Sequence, residues 1–369
     1  MNKNYQIANR QLWFILFMLR STIIISTLPV ITTADSMQDA WLSALVTLVG
    51  SEIFLFLISL LDIRFPQQTI IEYSQKLLGR LPGIGLSFLL LWIFLQFSVI
   101  ELRIYAEVIK NTFLPQTPLI FLSAVIVLAA SLCVYNGIET LGRCADLLFF
   151  LYIIMIAFII IIPLPEVDFQ NLKPIFARGL GPVIRGAITP VTYAAQLWVL
   201  TIISSTTEKP KKILNTALSS IGLSLTILVL VAIITVSSLG PQETVRATFP
   251  VLTLIRSIEV SPFLQRTEVL IMFSWGFGLF ISVSTHLFAG SQGISQLLNL
   301  HNHRNLVFPM GLIWIYMSIH GFENIFALNS FFSPRIFGTY SFFILILPLA
   351  LLWGSYLVRK ILNAGGKKT

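Results

Sequence analysis

Long apolar runs alternate with short polar connections along almost the whole chain. Runs of spanning length lie at about residues 11–31, 41–63, 83–113, 118–135, 145–163, 180–204, 214–239, 266–298, 306–321 and 336–358. About 20 apolar residues, each rising about 1.5 Å, cross the hydrocarbon core of a bilayer as a helix. The pattern therefore predicts an all-α polytopic membrane protein with about ten transmembrane helices, in which residues 1–369 form a single integral membrane domain.

Two polar connections differ from the others. Residues 65–81 are amphipathic, lie between Pro66 and Pro82, and are too polar to span a membrane. They predict a short helix along the inner membrane surface. Residues 240–265 contain three prolines and form the longest outer connection. A lid and a docked loop are both open interpretations of this connection, and we favour the docked loop.

The ten predicted helices divide into two sets of five, at about 11–163 and 180–358, followed by a tail at 359–369. Because five is an odd number, the second set enters the membrane upside down relative to the first. Inverted repeats of this kind are typical of secondary transporters, whose sites lie near the membrane midplane at discontinuous helices. We therefore expect a 5+5 inverted repeat with discontinuous helices 1 and 6.

One proline lies at a corresponding position in the first helix of each set. Pro29 removes the backbone donor for the carbonyl of Ile25, and Pro190 does the same for Gly186. If both helices are broken, their opposed half-helix ends suit a ligand with an amine and a carboxylate. The alternative is a pair of ordinary proline kinks that Ser and Thr side chains support.

The predicted third helix carries four ionisable residues, Glu101, Arg103, Glu107 and Lys110. Spacings of three and four residues place Arg103, Glu107 and Lys110 on one face, where they can form a charge-paired ladder. Glu101 points to roughly the opposite side, near mid-depth. A carboxylate at that depth normally faces a protein interior or a wet cavity, which makes Glu101 a candidate functional residue. A structural ion pair, for example with Arg20, is the alternative.

Helix eight carries a polar stripe of Ser282, Thr285 and His286 on an otherwise apolar sequence. Such a stripe either lines a cavity or forms hydrogen bonds with a neighbouring helix. His286 is a candidate proton acceptor. A packing histidine with satisfied hydrogen bonds is the alternative.

Composition supports the membrane interpretation, because 56% of residues are hydrophobic and 11% are charged. The net charge of +8 lies on loops and termini, so we expect membrane lipid rather than nucleic acid as a partner. The distribution of Lys and Arg places both termini in the cytoplasm. We find no phosphate-binding motif, no H-E-x-x-H and no set of nucleophile and base, and the two cysteines predict neither a disulfide framework nor a metal site. The sequence therefore predicts no enzyme, no catalytic residue, no cofactor and no metal.

A series of different short polar motifs is spread along nearly the whole chain. They are Gln38-Asp39-Ala40-Trp41-Leu42-Ser43, Glu101-Leu102-Arg103, Ala106-Glu107, Lys110, Thr117-Pro118, Gly137-Ile138-Glu139, Arg143, Phe249-Pro250, Arg266, Glu268 and Trp275. Together they resemble the B subunits of spore germination receptors, and the charged pattern of helix three is the most specific part. That family is similar to permeases of the amino acid, polyamine and organocation superfamily, which have a leucine-transporter-type fold of inverted five-helix repeats.

The resemblance implies a nutrient-sensing subunit in the spore inner membrane, beside an A subunit and a lipoprotein C subunit. Such a subunit binds a germinant, an amino acid or similar small metabolite, in a mid-membrane pocket and signals to its partners. Carried across by position, the ligand-binding residues are Ser21, Thr22, Ile23, Ile24, Phe97, Thr189, Thr192, Tyr193 and Ser282.

The chain departs from the family pattern at two places in this pocket. Thr22-Ile23-Ile24 replaces a glycine-containing break in helix one, and Ala195-Gln196-Leu197 replaces a stretch of helix six with a glycine and a glutamate. These differences imply another germinant or a subunit that only anchors its partners. A proton- or ion-coupled amino-acid transporter is the alternative from a different functional class.

Overall fold

The computed structural model describes residues 6–258 and 268–365, which are helical almost throughout. An isolated bridge between Ile7 and Thr207 accounts for the β-type pairing in these two ranges. The all-α prediction is confirmed. Arg266, the end of the predicted outer connection and the end of the tail lie outside the described residues.

The α-helices follow in chain order. They are α1 (Asn9–Ser26), α2 (Leu28–Ser36), α3 (Ala40–Arg64), α4 (Ile70–Leu78), α5 (Arg80–Thr112), α6 (Leu119–Tyr135), α7 (Ile138–Ile161), α8 (Leu180–Thr192), α9 (Leu200–Ile203), α10 (Ile213–Leu239), α11 (Pro241–Arg246), α12 (Pro250–Ser257), α13 (Glu268–Leu297), α14 (Arg304–His320), α15 (Ile325–Phe331), α16 (Pro334–Ser341) and α17 (Leu347–Gly365).

Each predicted apolar run contains one or more of these helices. In the described ranges, seven segments are long and apolar enough to cross a membrane, and α14 with α15 makes an eighth although the two are bent by 97°. The 17-residue α6 is too short for this count. Helix α1 carries Arg10 and Arg20 among its 18 residues, which lowers its apolar character. The chain is therefore an integral, multi-pass membrane protein.

The first predicted membrane helix, helix one, corresponds to α1 and α2. It is discontinuous, as predicted, but its break lies at Thr27 rather than around Ile25. Thr27 has non-helical backbone angles (φ −127°, ψ −20°) between α1 and α2. Pro29 lies in the first turn of α2, where a missing backbone donor costs nothing. The proline therefore begins the second half of helix one and does not unwind the first half.

The sixth predicted membrane helix, helix six, corresponds to α8, α9 and the stretch between them. It is also discontinuous, and again the proline does not mark the break. Pro190 lies inside α8, which continues to Thr192. The backbone then narrows to a 3₁₀ helix over Tyr193–Val199 before α9 begins. Long 3₁₀ stretches are uncommon because their hydrogen bonds have poorer geometry, and within a helix they often mark a hinge.

The short helix predicted within residues 65–81 is present as α4. The Glu72 side chain accepts a hydrogen bond from the backbone of Thr69 at 2.9 Å, and this capping box begins the helix. The Tyr73 hydroxyl donates to Asp62 of α3 at 3.2 Å, and the Thr69 hydroxyl donates to Gln296 of α13 at 2.6 Å. Burial, and secondly the Asp62 carboxylate, raise the pKa of Tyr73, so its hydroxyl remains a donor. The outer connection forms α11 and α12, and the buried apolar face of α12 supports the docked interpretation.

Close packing of α8 against α2 and α3 sets the position of helix six. A Cβ atom on Gly186 would lie 2.8 Å from the Thr32 carbonyl oxygen and 2.8 Å from the Ser43 hydroxyl oxygen. That hydroxyl donates to the Val183 carbonyl at 2.8 Å, so it already ties α3 to α8. The contact leaves no room for a larger residue at position 186.

We predict that Gly186→Ala destabilises the protein by about 1–3 kcal/mol, because the added methyl group must displace a backbone carbonyl. The measurement is the unfolding temperature of the purified protein in detergent. Gly181→Ala, in the first turn of the same helix, is the control, because a Cβ atom there meets nothing within 4 Å. Equal unfolding temperatures for the two variants would contradict the packing described here.

Candidate ligand site at the breaks of helices one and six

The residues carried over from the family come together in the interior of the protein. Helix one, α5, helix six and α13 supply them: α13 packs against α1 and α5, α2 packs against α8, and the 3₁₀ stretch of helix six packs against α5 and α13. All of these side chains are buried: Ser21, Thr22, Ile23, Ile24, Phe97, Thr189, Thr192, Tyr193 and Ser282. The structure thus places the predicted pocket residues around one closed centre, and their role in ligand binding stays a prediction.

Most hydroxyl groups of this set already have partners within the protein. Those of Ser21, Thr22 and Thr192 each donate to the carbonyl four residues earlier, at 2.6, 2.6 and 2.8 Å. The Thr189 hydroxyl donates to the Phe332 carbonyl at 2.8 Å. Because α1 is helical through Ser21 and Thr22, its backbone there also has no freed groups. These residues shape the site more than they offer it hydrogen bonds.

Aromatic rings form one wall of the centre. Tyr193, the first residue of the 3₁₀ stretch, packs edge-on against Phe97 with ring centroids 4.9 Å apart. Phe332 and Phe337 contact the same tyrosine, each with centroids 5.8 Å away. The Tyr193 hydroxyl is buried and has no hydrogen-bond partner in the part of the chain that the structure describes. Buried hydroxyls usually have a partner, so this group marks the centre as polar and unsatisfied.

Arg20 ties the two discontinuous helices together. Its Nη2 donates to the Pro190 carbonyl of α8 at 2.9 Å and to the Ser51 hydroxyl at 3.5 Å. Its Nε and Nη1 are buried and lack partners among residues 6–258 and 268–365. The pocket prediction did not include this residue. The available signal was a lone cation inside an apolar helix, since such residues normally face a site or a partner.

Glu101 faces the same centre from α5. Its Oε2 accepts a hydrogen bond from Ser282 at 2.6 Å, whereas its Oε1 is buried and has no partner within the described ranges. The ion pair with Arg20 considered from the sequence is not formed as a direct contact, since no such pair within 4 Å occurs among the described residues.

The rest of the charged pattern in α5 serves another purpose. Arg103 and Glu107 form a buried ion pair at 2.9 Å, with side chains 5% and 12% exposed. Arg103 also donates to the Ile319 carbonyl at 2.7 Å, near the bend between α14 and α15. The predicted charge-paired ladder of Arg103, Glu107 and Lys110 is wrong at Lys110, because that residue forms no ion pair in the described part of the chain. The Arg103–Glu107 pair therefore secures the end of α14.

The eighth predicted membrane helix corresponds to α13. Its polar stripe forms contacts both within α13 and with the neighbouring α5. Ser282 reaches Glu101, whereas Thr285 and His286 contact carbonyls of their own helix, at 2.7 and 2.9 Å. Nδ1 of His286 contacts a carbonyl, so in the neutral ring it carries the proton and Nε2 is an acceptor. That Nε2, like both polar atoms of the Gln196 amide, is buried and unpartnered among the residues described.

Two solved structures show the same architecture. The structure of MhsT in complex with L-phenylalanine covers 92% of this chain with 89% of its own length, at 16% sequence identity and a TM-score of 0.68. The substrate-bound, outward-open structure of a Na⁺-coupled sialic acid symporter covers 90% with 78% of its length, at 12% identity and a TM-score of 0.63. The protein has the leucine-transporter-type fold of inverted five-helix repeats, with discontinuous helices 1 and 6.

Sequence comparison narrows this class to one family. Residues 6–325 match the Spore_permease family, described as spore germination protein, and the chain belongs to that family. Spore germination protein KB of Bacillus subtilis (strain 168) is 31% identical over 85% of this chain and 84% of its own length. From the same strain, spore germination protein YndE is 25% identical (73% and 75%), and spore germination protein A2 is 22% identical (79% and 80%).

We predict that Arg103→Gln destabilises the protein by about 3–5 kcal/mol, because it leaves the Glu107 carboxylate buried without its cation. Thermal unfolding of the purified protein in detergent measures the effect. Arg246→Gln is the control, because its ion pair with Glu243 is largely exposed, with side chains 75% and 60% accessible. Such pairs contribute about 0–1 kcal/mol. Equal losses in the two variants would show that Arg103 does not secure α14.

Proposed function

We propose that the protein is the germinant-sensing membrane subunit of a spore germination receptor. It binds an amino acid or similar small metabolite at the centre between helices one, three, six and eight. It signals to A and C subunits in the spore inner membrane, with both termini in the cytoplasm. The relatives named as spore germination proteins support this role, and the permease-like family and transporter fold support a function other than catalysis.

One observation carries the proposal. The two discontinuous helices are linked through Arg20 and the Pro190 carbonyl, and Tyr193, whose buried hydroxyl has no partner among the described residues, follows Pro190 by three positions on helix six. Both helices are interrupted close to this link, at Thr27 and in the 3₁₀ stretch, so each can pivot there. A ligand that binds one arrangement more tightly than another shifts the population toward it. Sensing therefore requires a change of shape and no net transport.

The test of this role uses spores that lack the chain and spores that regain it. We expect germination in response to at least one nutrient from a panel of amino acids, sugars and nucleosides to be lost and then restored. The same nutrient should raise the unfolding temperature of the purified protein, because ligands that bind only the folded state stabilise it. An unchanged response to every nutrient in both kinds of spore would contradict the proposal.

We predict that Thr192→Leu changes the nutrient concentration for half-maximal germination by about 10-fold or more, because it adds bulk at the closed centre. Dose–response curves of complemented spores measure this change, and protein abundance in the spore membrane checks for assembly. Thr226→Leu is a matched control, because that exposed threonine of α10 also bonds the carbonyl four residues earlier at 2.8 Å. Identical curves for the two variants would remove Thr192 from the site.

A proton- or ion-coupled amino-acid transporter is the second candidate function. The likeness of the fold to MhsT and to a Na⁺-coupled symporter favours it, and Glu101 or His286 would then carry a proton. Counterflow of labelled amino acids in proteoliposomes separates the two candidates. Robust uptake driven by a pH gradient in vesicles that contain this chain alone would defeat a receptor-only role.

A further inference from the structure

Two opposite charges at the closed centre are each only half satisfied. Arg20 uses Nη2 for the Pro190 carbonyl and leaves Nε and Nη1 without partners. Glu101 uses Oε2 for Ser282 and leaves Oε1 without a partner. These statements hold for residues 6–258 and 268–365, and both side chains are almost fully buried in the fold. One residue thus offers N–H donors and the other offers an acceptor.

Leaving these groups unpaired is unfavourable. A buried charge without a hydrogen-bond partner loses its hydration and receives nothing in exchange. The large majority of buried polar side-chain atoms in proteins have a hydrogen-bond partner, so these exceptions need an explanation. Arg20 and Glu101 do not complete each other, because no ion pair between them within 4 Å occurs among the described residues. A molecule that reaches both would supply the missing partners.

The fixed contacts also orient the two charges. Pro190 anchors the guanidinium to α8, and Ser282 anchors the carboxylate to α13. The other titratable groups that interact with this pair are Tyr193 and Tyr152, both neutral phenols that can donate or accept a hydrogen bond. The site therefore presents one basic side chain and one acidic side chain, each held by one fixed contact.

We propose that Arg20 and Glu101 read the two charges of a zwitterionic α-amino acid, with Arg20 binding its carboxylate and Glu101 its ammonium group. This inference rests on the proposed sensing function and assigns the chemistry of its ligand. Guanidinium groups bind carboxylates through paired hydrogen bonds, and an ammonium group is a donor without an acceptor. A ligand that carries one of the two charges leaves the other side chain buried and unpaired.

The first experiment needs only the unmodified protein. Each of the twenty proteinogenic L-amino acids is tested for a rise in unfolding temperature of the purified full chain. The most strongly stabilising one is then compared with its carboxamide, which lacks the carboxylate, and with its N-acetyl derivative, which lacks the ammonium group. We expect each derivative to bind about 30-fold or more weakly, because loss of one partner of a buried charge pair costs that much or more.

Two variants then assign each charge to its residue. Arg20→Gln should bind the amino acid and its carboxamide equally, while it still discriminates against the N-acetyl derivative. Glu101→Gln should show the reverse selectivity. A merely structural role would change stability and leave this selectivity unaltered. Arg20→Lys and Glu101→Asp keep the charges and should keep the discrimination, and Arg246→Gln is an exposed control.

The outcomes separate the inference from the proposed function. If an amino acid binds but both derivatives bind equally well, or if the variants retain the selectivity of the unmodified protein, the assignment of the two charges is wrong and the sensing role stands. If none of the twenty amino acids stabilises a folded protein, this inference is overturned. The germination assay then decides the sensing role by itself. The comparison of derivatives decides the inference even where a variant fails to fold.

Discussion

A single charge-assisted hydrogen bond, from Arg20 to the Pro190 carbonyl, joins the two interrupted helices at the centre of the protein. Guanidinium donors to a carbonyl are among the stronger hydrogen bonds in a dry interior, where no water competes. In helix one, α1 packs against α7, α10 and α13, and α2 packs directly against α8 of helix six. The bond therefore adds a buried polar link to two helices that already pack against each other.

The polar groups around this bond are of two kinds. The hydroxyl groups of Ser21, Thr22 and Thr192 donate to carbonyls of their own helices, whereas that of Thr189 donates to the Phe332 carbonyl. Buried polar atoms of Arg20, Glu101, Tyr193, Gln196 and His286 have no partner among the described residues. The hydrogen-bonding capacity that is still available at the centre therefore lies on these larger side chains.

Hydropathy alone predicted the spans and their inverted arrangement, because length and apolar character are local properties of the sequence. The exact breaks could not be predicted in the same way. Pro29 fits the first turn of α2 and Pro190 fits inside α8, so neither proline marks the change in helix one at Thr27 or the start of the 3₁₀ stretch at Tyr193. Whether a serine or threonine is free likewise depends on side-chain conformation, which one sequence does not show. Arg20 was visible as a charge, but its partner on helix six was not.

The short helix α4 connects the ends of two long helices. Its cap residue Thr69 donates to Gln296 of α13, and its Tyr73 donates to Asp62 of α3. The same α13 carries Ser282, which contacts Glu101 at the closed centre. Fourteen residues separate Ser282 from Gln296, which is about 21 Å of helix at about 1.5 Å per residue. A tilt of α13 that begins at Glu101 would therefore displace α4 at the far end of the same helix.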